Sequence, residues 1–380
     1  MRVTALLALA VAHLARAQTF SDCNPTDGDK CDPDPAFGKC QTEQQFDFTT
    51  LPKGDDGWKD DDTFNSFFKK GKDVDQALSV DDDGLAFTVE SADQSGPLIG
   101  TKRYLFFGKV EVEVRAAPGT GMVTSVVLES KDLDEIDWEW LGGDPGNVQT
   151  NFFSRGVNEL GDGTGPGNSG IHGLGFNAVE GLHTYTLDWT PESITFYVDG
   201  QEIRKAEIGD PAKWPQTPMQ VKIGIWAGGH PDNSEGTIEW AGGPTNFDDA
   251  PFTAWYKSLK IVDYCGGKDA AEEYVWSDDS GLQDSIEVVG AKGNGGFTAN
   301  GSKSDVEADD PEDDDDDEES TSSGDATKTG TDGAESTDDA DAAESEEGDD
   351  GNGDGEGAAS IAGLSSTLVA MVGLAYLIMA

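Results

Sequence analysis

Residues 134–143 read DEIDWEWLGG, four carboxylates and two tryptophans in ten positions. On an extended strand successive side chains point to opposite faces, which places Glu135, Asp137 and Glu139 on one face and Ile136, Trp138 and Trp140 on the other. Like charges in a row repel one another and resist desolvation, so such a row implies a use for the charge or a compensating partner. Cleaving a glycosidic bond with retention is one use: it needs a proton donor at the leaving oxygen and a carboxylate nucleophile about 5 to 5.5 Å away. The Cα atoms of Glu135 and Glu139 would lie roughly 13 Å apart on an ideal strand, so their side chains must converge. Asp137 between them can hold a proton on one and leave charge on the other. The alternatives are a Ca²⁺ site, for which clustered oxygens suffice, or a solvated edge strand; Ile136, Trp138 and Trp140 favour a strand with a buried back.

The elements that must position this row are strands. RYLFFGKVEVEVRAA alternates Val110, Val112 and Val114 against Glu111, Glu113 and Arg115, and MVTSVVLES follows it. VQTNFFS, LHTYTLDWT, SITFYVDGQEIRKAE, MQVKIGIWAGG and FTAWYKSLKIVDYC are further β-branched and aromatic runs, separated by Gly, Pro, Asn and Asp. Within them Asp199-Gly200 reads as a hairpin turn. No long segment has a helical period, which disfavours nucleotide-binding βαβ folds. The expected fold is all-β: a curved antiparallel β-sandwich over residues 18–285, a concanavalin-like jelly roll whose one face can hold a polymer.

The ends carry other signals. Residues 1–17 read as a secretory signal peptide closing on Ala15-Arg16-Ala17. The uncharged apolar tail within 353–380, preceded by small residues and a polar spacer, reads as a GPI-attachment propeptide with Asn352 as the attachment site. Residues 286–352 are rich in Asp, Glu, Ser, Thr and Gly and read as a disordered acidic stalk or an inert linker. About half of the formal net charge of −50 lies there. That charge, with no basic patch to offset it, excludes nucleic acid as a partner. In a secreted chain the four cysteines should form two disulfides, and of the three connectivities Cys23–Cys31 with Cys40–Cys265 is preferred because the second ties the start of the domain to its last strand. Asn300-Gly301-Ser302 is an N-glycosylation sequon at the stalk junction. No metal and no cofactor is expected, and the chain should be a monomer. Among nine tryptophans, Trp226 stands out at the glycine-rich end of a strand, where a sugar ring could stack.

DEIDWEWLG resembles the catalytic signature of glycoside hydrolase family 16. With VQTNFFSRG, LHTYTLDWTPESITFYVDG, KIGIWAGG and GTIEWAGGPTNF, the chain is similar to the fungal Crh branch of that family, GPI-anchored cell-wall transglycosylases that join chitin to β-glucan. The resemblance implies Glu135 as nucleophile, Asp137 as auxiliary residue and Glu139 as general acid/base, with sugar contacts at Glu139, Lys222, Trp226 and Thr237. It implies a chitin donor, a β-glucan acceptor and a place at the outer face of the plasma membrane and in the wall. Many relatives carry Arg in place of Lys222, and an ammonium cannot reproduce a planar guanidinium contact. The competing readings are a hydrolytic endo-β-glucanase or chitinase, and a non-catalytic surface lectin, which would not need a nucleophile and an acid on one strand face.

Overall fold

The computed structural model describes residues 21–71, 74–94, 96–157 and 168–291. The signal peptide, the sequon at Asn300, most of the stalk and Asn352 with its propeptide fall outside them.

Two antiparallel sheets pack face to face as the expected jelly-roll sandwich. Across the first sheet the strands run Gly170–Gly173, Asn147–Phe153, Glu135–Leu141, Met122–Ser130, Met219–Ala227, Leu98–Thr101 and Phe68–Lys70. The second runs Gln201–Glu207, Ser193–Val198, His183–Trp189, Gly108–Arg115, Phe252–Asp263, Gly84–Val89 and Leu78–Asp81, and Glu43–Asp47 pairs with the far half of Phe252–Asp263. A small third sheet joins Asp34–Pro35, Glu273–Trp276 and Ile286–Val289, so regular structure continues to Val289.

The outer faces of the two large sheets differ, and the difference locates the site. Strand Gly108–Arg115 alternates buried and half-buried residues: Val110, Val112 and Val114 enter the core. On its wet side Glu111 pairs with Lys260 (2.7 Å) and Glu113 with Lys257 (2.9 Å). Strands Met122–Ser130 and Glu135–Leu141 are instead buried on both faces. On the outer side of the first sheet Val123, Val127, Leu141 and Trp226 form a second apolar cluster with Ala241 and the half-buried Trp240. The last turns of that cover come from a short helix, Glu235–Trp240, capped by the Ser234 hydroxyl accepting from the amide of Thr237.

The ends of the domain are tied as the cysteine spacing suggested, through Cys23–Cys31 and Cys40–Cys265. A bridge of sequence separation 225 removes much of the freedom of the unfolded chain. Beside it the buried Asp263 accepts from the amides of Phe106 (3.0 Å) and Cys265 (2.9 Å) and from the Tyr274 hydroxyl (2.6 Å). Asp199 (φ 48°) and Gly200 (φ 77°) form the turn between Ser193–Val198 and Gln201–Glu207, and the left-handed backbone there suits Gly and Asp.

Candidate active site

Strand Glu135–Leu141 is fixed from its back. Ile136, Trp138 and Trp140 lie in the core between the sheets, with Trp138 and Trp140 stacked at 6.1 Å. Tyr185 and Phe196, from the second sheet, meet them edge-on: Trp138–Phe196 at 5.0 Å and Trp140–Tyr185 at 4.5 Å. Aromatic contacts of this kind resist sliding of the strand, because a one-residue slip would turn the row into the core.

Both ends of the strand are also held. At its start the Asp134 carboxylate accepts from the amides of Arg155 (2.9 Å) and Gln216 (2.7 Å) and from the Thr217 hydroxyl (3.0 Å). Asp132 accepts from the hydroxyls of Thr217 (2.6 Å) and Ser130 (2.5 Å). At its end Gly142 passes so close to another loop that a Cβ would sit 2.6 Å from the carbonyl oxygens of Ala117 and Gly119. Neither anchor is legible in the sequence; only the fourth acid, Asp134, and the Gly142-Gly143 pair hint at them.

The front carries the predicted row. Glu135, Asp137 and Glu139 are each at most 1 % exposed. In register Glu135 lies between Glu129 and Phe153, Asp137 between Val127 and Asn151, and Glu139 between Ser125 and Gln149. Gln149 accepts a hydrogen bond from the Trp240 indole at 2.9 Å. Apart from a hydrogen bond shared between Glu135 and Asp137, no donor among the described residues meets the oxygens of these two or Oε1 of Glu139. Carboxylates with so few donors in a buried site favour the neutral form, so burial pushes all three upward. Asp137 rises to about 7, held down in part by a hydrogen bond with Glu135 and by the Arg204 charge. Glu135 is raised by burial and then by Asp137, Glu129 and Glu139, and lowered by Lys222. Glu139 is raised by burial and Asp137, and no cation counters it. A cation thus acts on Glu135 and another on Asp137, while at Glu135 the anionic neighbours Asp137, Glu129 and Glu139 each outweigh Lys222.

The remaining predicted residues share this side of the molecule. Lys222 is half-buried, and its ammonium binds Glu129. Trp226 lies in a row with Val123 and Leu141, is 3 % exposed, and stacks on Trp240 at 5.8 Å. Thr237 is buried in the helix that supplies Trp240 and exchanges a hydroxyl hydrogen bond with Ser234 (2.8 Å). Glu129, the partner of Lys222, is not among the residues that the sequence singles out. It lies 93 positions from Lys222, and only cross-strand register brings the two together.

A carboxyl raised in the folded state keeps its proton at a pH where the unfolded chain has lost it. Its contribution to stability is complete below the unfolded value and disappears as pH rises through the folded one, for Asp137 from 3.8 to about 7. The thermal midpoint should therefore fall between about pH 4 and pH 7, and Asp137→Asn should flatten that fall and stabilise the protein at the alkaline end. Scanning calorimetry across that range checks this; an unchanged slope in the variant would contradict it.

The model of the family described as glycosyl hydrolases family 16 matches residues 65–242. Crh-like protein 4 of Aspergillus fumigatus is 40 % identical over 306 residues, 80 % of this chain and 61 % of that protein. Crh-like protein 1 of the same fungus is 38 % identical over 307 residues, 80 % of this chain and 76 % of its own length. The first alignment thus spans less than two thirds of the relative, the second more. Among solved structures the Crh5 transglycosylase, without ligand and in complex with NAG, superposes with TM-scores of 0.59 and 0.58 at 38 % identity, covering 70 % of this chain and all of that one. The strand that carries Glu135, Asp137 and Glu139 lies inside the matched region, and the resemblance read from its residues holds: the chain belongs to glycoside hydrolase family 16, among the Crh-like proteins.

Proposed function

We propose that the protein is a retaining cell-wall transglycosylase that cleaves chitin and passes the released glycosyl group to a β-glucan hydroxyl. The observation that carries this reading is the row of three buried carboxylates on one strand face, inside the region that the family model matches. Binding of NAG by the similar Crh5 transglycosylase supports an N-acetylglucosamine-containing donor.

In the first half-reaction a Glu135 oxygen attacks the anomeric carbon. The bond from that carbon to the leaving oxygen breaks, and Glu139 gives its proton to the leaving oxygen. In the second, an acceptor hydroxyl gives its proton to Glu139, its oxygen bonds to the anomeric carbon, and the bond to Glu135 breaks. Asp137 hydrogen-bonds Glu135 when the latter is free and so steadies the charge that appears and disappears there. Lys222, Trp226 and Thr237, with Glu139, are the sugar contacts in this reading.

Incubating the secreted protein with chitin oligosaccharides and a fluorescent β-glucan acceptor tests the proposal. Glu135→Gln should abolish hydrolysis and transfer together. Glu139→Gln should slow both by about 10²–10⁴-fold, with partial rescue by azide on a donor that has a good leaving group. Asp137→Asn should be milder than either. Labelled acceptor that never gains sugar while chitin is cleaved would leave a hydrolase.

We infer further that the protein is held outside the cell by a GPI anchor and passes in part to the wall. Phosphatidylinositol-specific phospholipase should release it from membranes, and glucanase should release the wall-bound fraction. Finding residues 353–380 in the mature protein would overturn this.

A further inference from the structure

Register alone would aim Lys222 at the middle of the catalytic row. Lys222 is opposite Val127, and Val127 is opposite Asp137, so the three share one line across the sheet. The ammonium nevertheless turns out of that line to Glu129. Glu129 is directly opposite Glu135, where Cβ atoms of paired residues lie about 4.5–5.5 Å apart. Its side chain is 5 % exposed and that of Lys222 22 %, so neither charge is lost in bulk solvent. Lys222 accordingly acts on Glu135 and not on Asp137.

We propose that Glu129 is a positioning residue: by tethering Lys222 and standing opposite the nucleophile, it sets the charge that Glu135 meets and with it the acidic limit of activity. The inference rests on the reading of Glu135 as nucleophile. The groups that face Glu135 are few. From its own strand come Asp137 and Glu139, from Met122–Ser130 comes Glu129, from Met219–Ala227 comes Lys222, and from Asn147–Phe153 comes the uncharged Phe153. Lys69, opposite Gly100 on the outer strand, is exposed. Asp134, just before Glu135, is bound by the amides of Arg155 and Gln216, and Asp132 by two hydroxyls. The Arg204 charge acts on Asp137.

Of these neighbours Glu129 raises Glu135 more than Lys222 lowers it. Removing the Glu129 charge therefore eases ionisation of Glu135, and removing the Lys222 charge hinders it. The pair restrains the nucleophile: it keeps Glu135 protonated to a higher pH than the neutral frame of the site would.

The test is the titration of Glu135 in wild type, Glu129→Gln and Lys222→Met, read in two ways. One is the acid limb of kcat/KM on an activated chitin oligosaccharide. The other is the carboxyl carbon resonance of Glu135, assigned by its loss in Glu135→Gln, which needs no turnover. Glu129→Gln should move the midpoint to lower pH and leave activity on the acid flank severalfold above wild type. Lys222→Met should move it to higher pH. Should Lys222→Met fold poorly with Glu129 left unpaired, the Glu129→Gln, Lys222→Met double variant should titrate between the two singles. A merely structural ion pair would lower activity in each variant with the midpoint fixed, and that result overturns the inference. Midpoints that move in a protein that cleaves no donor would preserve this electrostatic relation and sink the transglycosylase reading instead.

Discussion

The structure turns on taking three like carboxylates out of water on one strand face. Each of Glu135, Asp137 and Glu139 loses hydration, and among the described residues the protein returns few donors to them. Such an arrangement opposes folding. The rest of the sandwich holds it in place. The Trp138 and Trp140 rings lock the strand from behind against Tyr185 and Phe196, Asp134 pins its start through the amides of Arg155 and Gln216, and the close approach at Gly142 fixes its end. Rigid support matters because the three acids differ only in the neighbours that strand register gives them.

That dependence links electrostatics to chemistry. A retaining mechanism requires one carboxyl to keep a proton and another to give it up, at the same pH and in nearly the same environment. Burial alone would raise all three alike. The flanks differ: Glu129 and Lys222 act in opposite senses at the Glu135 end, with Glu129 the stronger, and the Arg204 charge acts on Asp137. The dry outer cluster of Trp226, Trp240, Val123, Val127 and Leu141 lowers the dielectric around the row and so strengthens each of these influences.

Much of this is legible in the sequence for a simple reason: a strand repeats every two residues, so alternation in EIDWEWL and KVEVEVR reveals both faces at once. Local signals also give the hairpin at Asp199-Gly200, and the cysteine positions give the long Cys40–Cys265 bridge. What stays hidden depends on register between distant strands. Glu129 reads as an ordinary acid until its strand is laid beside Glu135, and nothing in the sequence around Lys222 shows that its ammonium binds Glu129. Trp226 is expected at an open edge; the helix Glu235–Trp240 brings Trp240 over it, a contact that nothing in KIGIWAGG announces.

The central claim is that Glu135 is the carboxylate that bonds to sugar while Glu139 handles the proton. Trapping the intermediate with a mechanism-based fluorosugar of the donor type, followed by peptide mapping in the mass spectrometer, addresses it most directly. The account predicts a single adduct on Glu135, absent from Glu135→Gln. An adduct on Glu139, or turnover of the donor with no adduct anywhere on the row, would contradict it.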